Sequence, residues 1–213
     1  MAIFRSYLLG DVRKSVSNLT MYAAARGNSI VRSKKMKIRN PRTVKQVTQR
    51  VKMAALVNLS QEFAPVLALG FPVRVGNTTL YNAFVKANVD AVTVDEQMEA
   101  TVDYTQVVCA SGSLKKPKVT VSVDTETSNL QFTQVASKHS LSIQEAATDM
   151  VYAVVFEKEL KEMEIVPLKE RGKGGETMYQ FDSEWKPANF LIYAFAVSKG
   201  QRKASGSIFI QPD

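Results

Sequence analysis

Residues 118–124 read KVTVSVD, in which valine alternates with a polar or charged residue at every position. A period of two is typical of a β-strand with one buried and one solvated face. From about residue 98 to the end, short runs of similar character follow one another between turn-forming residues. The further strands predicted in this part of the chain are 99–104, 106–112, 130–134, 150–157, 160–167, 178–181, 190–198 and 205–210.

This series of short strands predicts an immunoglobulin-like or fibronectin-like β-sandwich over residues 98–213. The Cys-Trp-Cys pattern of antibody domains is absent, because Cys109 is the only cysteine and the single tryptophan, Trp185, comes late. A lone cysteine forms no internal disulfide, which agrees with a protein that stays in a reducing compartment.

A two-stranded ribbon is predicted near the N-terminus, with strands at 15–22 and 28–33. Arg26, Gly27 and Asn28 lie between them, and these residues suit a tight turn. A two-stranded ribbon buries little and is marginal in water by itself. We therefore interpret it as an arm that lies on another surface.

Three helices are predicted after the arm. Pro41 ends the preceding structure, and Thr43 is a suitable N-cap for a helix to about Leu59. Its predicted apolar stripe consists of Val44, Val47, Val51, Ala54 and Ala55. Its predicted basic side consists of Arg42, Lys45, Gln49 and Lys52.

The second predicted helix, 61–69, has Ser60 as its cap, Pro65 near its first turn and Gly70 at its end. A third helix begins after Asn77 and Thr78, and its apolar side is Leu80, Tyr81, Phe84 and Ala87. Residues 89–97 are interpreted as a linker. The predicted class is α+β, mainly β, with a basic β-arm and helical layer at 1–97 and a sandwich at 98–213.

Charge is distributed unevenly along the chain. Residues 1–52 contain 13 lysines and arginines against one acid, Asp11, which gives +12, whereas the remaining residues carry a net −4. The asymmetry indicates an arm that contacts phosphate or an acidic protein surface. The alternative is a solubilising or self-neutralising face. The candidate partner-binding or nucleic-acid-binding residues are Arg32, Lys34, Lys35, Lys37, Arg39, Arg42, Lys45, Arg50 and Lys52.

Specific catalytic patterns are missing from the sequence. His139 is the only histidine, and Cys109, its one conceivable nucleophilic partner, lies in an apolar run typical of a core thiol. The glycine-rich residues 169–175 lack the spacing of a phosphate loop and predict a flexible hairpin. Carboxylates at Glu157, Glu159, Glu162 and Glu164 alternate with apolar residues, as on an exposed edge strand. We therefore expect no enzyme activity, no cofactor and no metal.

Several short motifs resemble a domain-of-unknown-function family found in Bacteroidota and their phages. The matching residues are Gly10, Arg26-Gly27-Asn28, Val31-Arg32-Ser33, Asn40-Pro41-Arg42-Thr43, Gln46, Gln49-Arg50-Val51-Lys52-Met53, Val102-Asp103-Tyr104, Ser111-Gly112-Ser113-Leu114 and Ala147-Thr148-Asp149-Met150. The Asn-Pro-Arg-Thr opening with its two following glutamines is the most specific part. The chain departs from the family by having Tyr22 where a tryptophan is usual.

The resemblance implies a virion or assembly role, since a similar opening occurs in small proteins encoded among phage structural genes. Three functions follow as hypotheses: a structural subunit of a phage-like head, connector or tail, a non-specific nucleic-acid-binding protein, and an adhesion or carbohydrate-binding module. The expected partners are further copies of the chain, other virion proteins and DNA.

The expected location is the virion or the cytoplasm of the producing cell. The N-terminus has no apolar run of signal-peptide length, so we expect no secretion by a signal peptide. No run of 18 apolar residues occurs, so we expect no membrane insertion.

Overall fold

The computed structural model describes residues 2–4, 14–23, 29–34, 40, 42–74, 76, 78–124, 127–137 and 145–212. The chain forms two compact units, Met1–Val44 and Lys45–Asp213, and each is described by itself. The boundary between them differs from the predicted one after residue 97.

The described residues of the first unit form an antiparallel sheet. Its strands are β1 (Ala2–Phe4), β2 (Lys14–Val16), β3 (Leu19–Ala23) and β4 (Ser29–Ser33), in the order β1-β4-β3-β2. The predicted hairpin corresponds to the pairing of β3 with β4. The prediction of a two-stranded ribbon was wrong, because the described sheet has four strands. Ser17, with a φ of 51°, turns the chain within the predicted strand 15–22 and divides it into β2 and β3. The predicted turn at residues 26–28 lies outside the described residues.

The three helices are α1 (Val44–Glu62), α2 (Ala64–Gly70) and α3 (Leu80–Ala87). Helix α1 begins directly after Thr43, as predicted, and continues beyond Leu59. Ser60 is not a cap, because it lies buried inside α1 and its hydroxyl donates to the carbonyl of Val57 at 2.7 Å. Thr79 caps α3 by accepting a hydrogen bond from the Asn82 backbone N–H at 3.2 Å.

The residues of the predicted apolar stripe of α1 are half-buried or exposed, and the fully buried residues lie further round the helix. The buried residues of α1 are Leu56, Leu59 and Ser60, whereas 68% of Val44 is exposed. Leu56 lies five residues after Val51, which is a rotation of about 140° at 3.6 residues per turn. The core therefore contacts a different side of the helix, near its C-terminal end.

The predicted linker at 89–97 is folded. A 3₁₀ turn at Val89–Ala91 leads into a hairpin of β5 (Val92–Val94) and β6 (Ala100–Val102), and Val92 is fully buried. The predicted strand at 106–112 is absent. A 3₁₀ turn at Tyr104–Gln106 and an irregular buried segment take its place.

Seven strands form the larger part of the second unit. They are β7 (Val119–Asp124), β8 (Asn129–Gln134), β9 (Met150–Glu157), β10 (Glu162–Glu170), β11 (Gly175–Gln180), β12 (Phe190–Val197) and β13 (Ile208–Ile210). They pair antiparallel in a four-stranded sheet, β10-β9-β12-β13, and a three-stranded sheet, β11-β8-β7. The prediction of a mainly β protein with short helices is confirmed.

Two apolar cores lie on opposite faces of the four-stranded sheet. The first lies between the two sheets, where Phe132 and Leu130 of β8 share a cluster with Val155 of β9 and Ile192 of β12. On the other face, the helices cover the sheet with a second cluster. Its largest buried side chains include Phe63, Phe84, Phe156, Tyr193 and Phe195.

Burial on both faces accounts for the sequences of β9 (MVYAVVFE) and β12 (FLIYAFAV). These runs are almost continuously apolar, as expected of strands covered from two sides. The helices and the β5–β6 hairpin are therefore part of the same folded unit as the two sheets.

Candidate partner-binding surface

The predicted basic set is divided between the two units. Arg32, Lys34 and Arg42 belong to the first unit, while Lys45, Arg50 and Lys52 lie on α1 in the second. Lys35, Lys37 and Arg39 lie outside the described residues. The described residues of the set therefore belong to two different units.

The sheet of the first unit combines positive charge with an aromatic ring. The guanidinium carbon of Arg32 lies 5.8 Å from the ring centroid of Tyr22, within the range of a cation–π contact. Antiparallel pairing of β3 with β4 places both residues on one face of the sheet, because Thr20 pairs with Arg32 and Tyr22 pairs with Ile30. This face presents an exposed cation beside an exposed ring.

Apolar side chains of the same unit are also exposed. The exposed fractions are 60% for Val16, 37% for Leu19 and 36% for Tyr22. Ser29 is the one buried residue among the side chains described in β2, β3 and β4. The described part of this sheet therefore has no buried apolar side chain of its own.

The basic residues of α1 lie on a helix whose first turns contain no buried residue. Lys45 and Arg50 are exposed, and Lys52 is half-buried. No acidic residue occurs in the first turn of α1. This segment can present cations together with the exposed Val44 and Met53.

The candidate nucleophile is placed as a core residue. Cys109 is fully buried, and burial raises the pKa of its thiol to about 12. Its backbone N–H donates to the Ser207 hydroxyl at 3.1 Å. His139 lies outside the described residues. The expected packing role of Cys109 is confirmed.

Three of the four alternating carboxylates contact residues 185–189, and each has its own hydrogen-bond partner there. Glu157 is buried and accepts hydrogen bonds from the Leu160 backbone N–H and the Asn189 amide. Glu162 accepts from the indole of Trp185, whereas Glu159 pairs with Lys186. The described residues contain no group of three or more metal-ligating side chains.

The glycine-rich residues 169–175 do not form the predicted flexible hairpin. They connect β10 to β11, which belong to different sheets. Their backbone is held in place, since the N–H of Gly172 donates to Ala147 at 2.9 Å and that of Arg171 donates to Asp149 at 2.7 Å. The segment is a fixed corner between sheets.

A buried ion cluster at this corner was not found from the sequence. The side chains of Arg171 and Asp149 are each 3% exposed, and that of Glu145 is 6% exposed. Lys115 reaches the other oxygen of Glu145 at 3.1 Å. The only available signal was the basic run at residues 115–118, KKPK, which carries no information about its distant acidic partners.

Among the described residues, no single helix is both long and apolar enough to cross a membrane. The consecutive helices α1 and α2 pass that test together but are bent by 81°.

Comparison with known proteins identifies a family without a known activity. The model of a family described as "Family of unknown function (DUF6266)" matches residues 12–211. No curated protein matches the chain, and no solved structure does.

Proposed function

We propose that this chain, which belongs to the DUF6266 family of unknown function, is a non-enzymatic structural or assembly subunit of a phage-like particle that associates through its basic N-terminal unit. The observation that carries the proposal is the exposed sheet of that unit. Val16 is 60% exposed and Leu19 and Tyr22 are more than one-third exposed, in strands that bury no apolar side chain among those described.

An isolated sheet of this kind gains little free energy from burial, so contact with another molecule would stabilise it. The charge supports an anionic partner surface, since residues 1–52 carry +12 while the remainder of the chain carries −4. A second copy of the chain therefore offers a surface of complementary charge. The sheet would add to that neighbour by strand pairing or by packing its exposed side chains.

The virion part of the proposal is supported by the resemblance at Asn40–Thr43 and the glutamines Gln46 and Gln49. Genes for portal, capsid or tail proteins beside genes of this family would strengthen it. Neighbours restricted to host metabolic genes would contradict it.

We also assign the two sheets to the immunoglobulin-like or fibronectin-like class. If β7 to β13 are lettered A to G, the sheets are A-B-E and D-C-F-G. The constant-type immunoglobulin arrangement is A-B-E-D with C-F-G, so only the fourth strand differs in its pairing. An experimental structure with another strand order would contradict this assignment.

Light scattering after size-exclusion chromatography tests the assembly role. We expect the full chain to form a defined oligomer that the fragment 45–213 does not form. The variant Val16→Ser/Leu19→Ser should lose the oligomer as well, whereas Val73→Ser/Val135→Ser, which alters valines at least as exposed elsewhere in the chain, should keep it. A monomeric full chain at high concentration, or an oligomer insensitive to both changes in the N-terminal unit, would contradict the proposal.

The second candidate function is non-specific binding of nucleic acid by the same unit, favoured by the exposed Arg32 beside Tyr22. Contacts to phosphate give an affinity that falls with salt, with a slope of about −0.9 per neutralised phosphate on duplex DNA. Arg32→Gln/Lys34→Gln should reduce that slope by about 2 if both residues contact phosphate. Fluorescence anisotropy with a labelled duplex measures it, and an unchanged slope would count against this function.

A further inference from the structure

A cavity in the second unit lies beside the buried ion cluster, at one end of the two sheets. Its volume is about 160 Å³, and it is bounded by the segment before β7, the end of β8 and Arg171 after β10. The charged residues that line it are Lys115, Lys116, Lys118, Arg171 and Glu145. Four cations and one carboxylate therefore face the same small space.

Arg171 forms the inner wall of the cavity. Not every donor of its guanidinium group has a close hydrogen-bond acceptor. One terminal nitrogen, Nη2, donates to the Lys115 carbonyl at 2.7 Å, while Nη1 lies 3.5 Å from Glu145 Oε1. Nε is buried without a hydrogen-bond partner and lies 3.6 Å from Asp149 Oδ2. Charge-assisted hydrogen bonds are usually about 2.7–2.9 Å long, so both contacts to carboxylates are loose. A buried guanidinium with unused donors is costly unless another acceptor approaches.

The lysines at the mouth of the cavity differ in their partners. Lys115 pairs with Glu145 at 3.1 Å. The exposed Lys116 and Lys118 form no ion pair within the part of the chain that the structure describes. Pro117 lies buried between them, and its fixed φ limits the movement of their backbone. Lys116 and Lys118 are thus carried on a restrained segment at the edge of the cavity.

We propose that this cavity binds a small oxyanion, either inorganic phosphate or the phosphate group of a larger molecule. Lys116 and Lys118 would supply the charge from outside, and Arg171 would supply donors from within. Glu145 and Asp149 pair with Lys115 and Arg171, so the cations at the cavity without a carboxylate partner among the described residues are Lys116 and Lys118. The site is in the second unit and involves none of the basic residues of the proposed assembly role.

Isothermal titration calorimetry of the full chain tests the proposal, with inorganic phosphate and glycerol phosphate as separate probes at matched ionic strength. We expect saturable binding of one equivalent at low-millimolar concentration or below. Lys116→Gln/Lys118→Gln should weaken it at least tenfold, whereas the matched control Lys86→Gln/Lys199→Gln, which removes two exposed lysines distant in sequence from the cavity, should not.

The two probes distinguish the sources of the anion. Tighter binding of glycerol phosphate would identify a phosphate ester as the ligand, whereas tighter binding of inorganic phosphate would identify the free ion. Equal loss of affinity in the lysine variant and its control would indicate an adventitious ion only and overturn the proposal. Absence of saturable binding by either probe would also overturn it. The cavity lies in the second unit, so the outcome of the phosphate titration does not depend on whether the fragment 45–213 forms an oligomer.

Discussion

The side chain of Asn88 forms two hydrogen bonds with the backbone of Val108, one as donor and one as acceptor. Its amide nitrogen donates to the Val108 carbonyl at 2.9 Å, and its oxygen accepts from the Val108 N–H at 2.7 Å. Asn88 is 1% exposed and also donates to the carbonyl of Phe84 at 2.9 Å. One side chain thus replaces a strand neighbour for the irregular segment that contains Cys109, and it joins that segment to the end of α3.

Replacing Asn88 should therefore destabilise the fold. Asn88→Ala leaves a donor and an acceptor of Val108 without partners, and we expect the free energy of unfolding to fall by about 3 kcal/mol. Urea denaturation followed by circular dichroism measures this. Asn82→Ala, at an exposed position of the same helix, should change it by less than about 0.5 kcal/mol. Similar values for the two variants would show that the Asn88 pairing contributes little.

The helical layer should contribute to the stability of the sheets. Phe63 is fully buried between the helices and the four-stranded sheet, and its ring lies 5.1 Å from that of Phe156 and 5.7 Å from that of Phe84. We expect Phe63→Ala to lower the free energy of unfolding by about 4 kcal/mol through lost burial and a cavity. Val73→Ala, at a residue that is 64% exposed, is the control. If the layer were an independent domain, fluorescence of Trp185 would report no loss of stability in the Phe63 variant.

The thiol of Cys109 should be unreactive while the protein is folded. Burial raises its pKa to about 12, so the thiolate that attacks a disulfide reagent is scarce at pH 8. We expect Ellman's reagent to label no thiol in the native protein and one thiol in urea. The variant Ser113→Cys, which adds an exposed thiol, should show one fast-reacting group. Rapid labelling of the native wild-type chain would contradict the buried position.

Because of the ion cluster at Arg171, the free energy of unfolding should change with pH in the acidic range. A hydrogen bond from Ser137, followed by the charges of Lys115 and Arg171, lowers the pKa of Glu145 below its ordinary value. A carboxyl whose pKa is lower in the folded state stabilises the fold at pH values above its unfolded pKa of about 4.3. This contribution disappears as the pH falls through the lower folded pKa.

Glu145→Gln separates this contribution from that of other acids. We expect the variant to be less stable than the wild type at pH 7, with a difference that shrinks as the pH falls below about 4. Thermal unfolding measured from pH 3 to pH 7 provides the comparison. The exposed Glu176→Gln is the control, and a difference from wild type that stays constant with pH would exclude a role for the Glu145 charge.

The strands of the two sheets were the most predictable part of the fold. Residues 150–157 were predicted as a strand and form β9 with the same bounds, and residues 118–124 contain β7. Local pattern was sufficient there, because alternation or continuous apolar character directly reflects which faces are covered. The prediction of a strand at 106–112 was wrong because long-range hydrogen bonds, such as those of Val108 with Asn88 and of Cys109 with Ser207, satisfy its backbone without strand pairing.

Of the candidate sites, the sequence could predict the excess of charge but not the arrangement of the residues in space. The excess of positive charge in residues 1–52 is a property of the sequence, whereas its division between two units is a property of the structure. The cavity could not have been predicted, since Lys116 and Arg171 are 55 residues apart in the chain. Their proximity depends on the packing of two sheets.

The sequence by itself determined the mainly β class, the three helices and the charge asymmetry, because periodicity, capping residues and charge are local properties. Only the tertiary structure decided that the helices cover the second face of the four-stranded sheet and that α1 buries Leu56 and Leu59 rather than its valine stripe. The physical reason is that a helix with apolar residues on more than one side can pack in several orientations. The shape and apolar surface of the sheet beneath it select one of them.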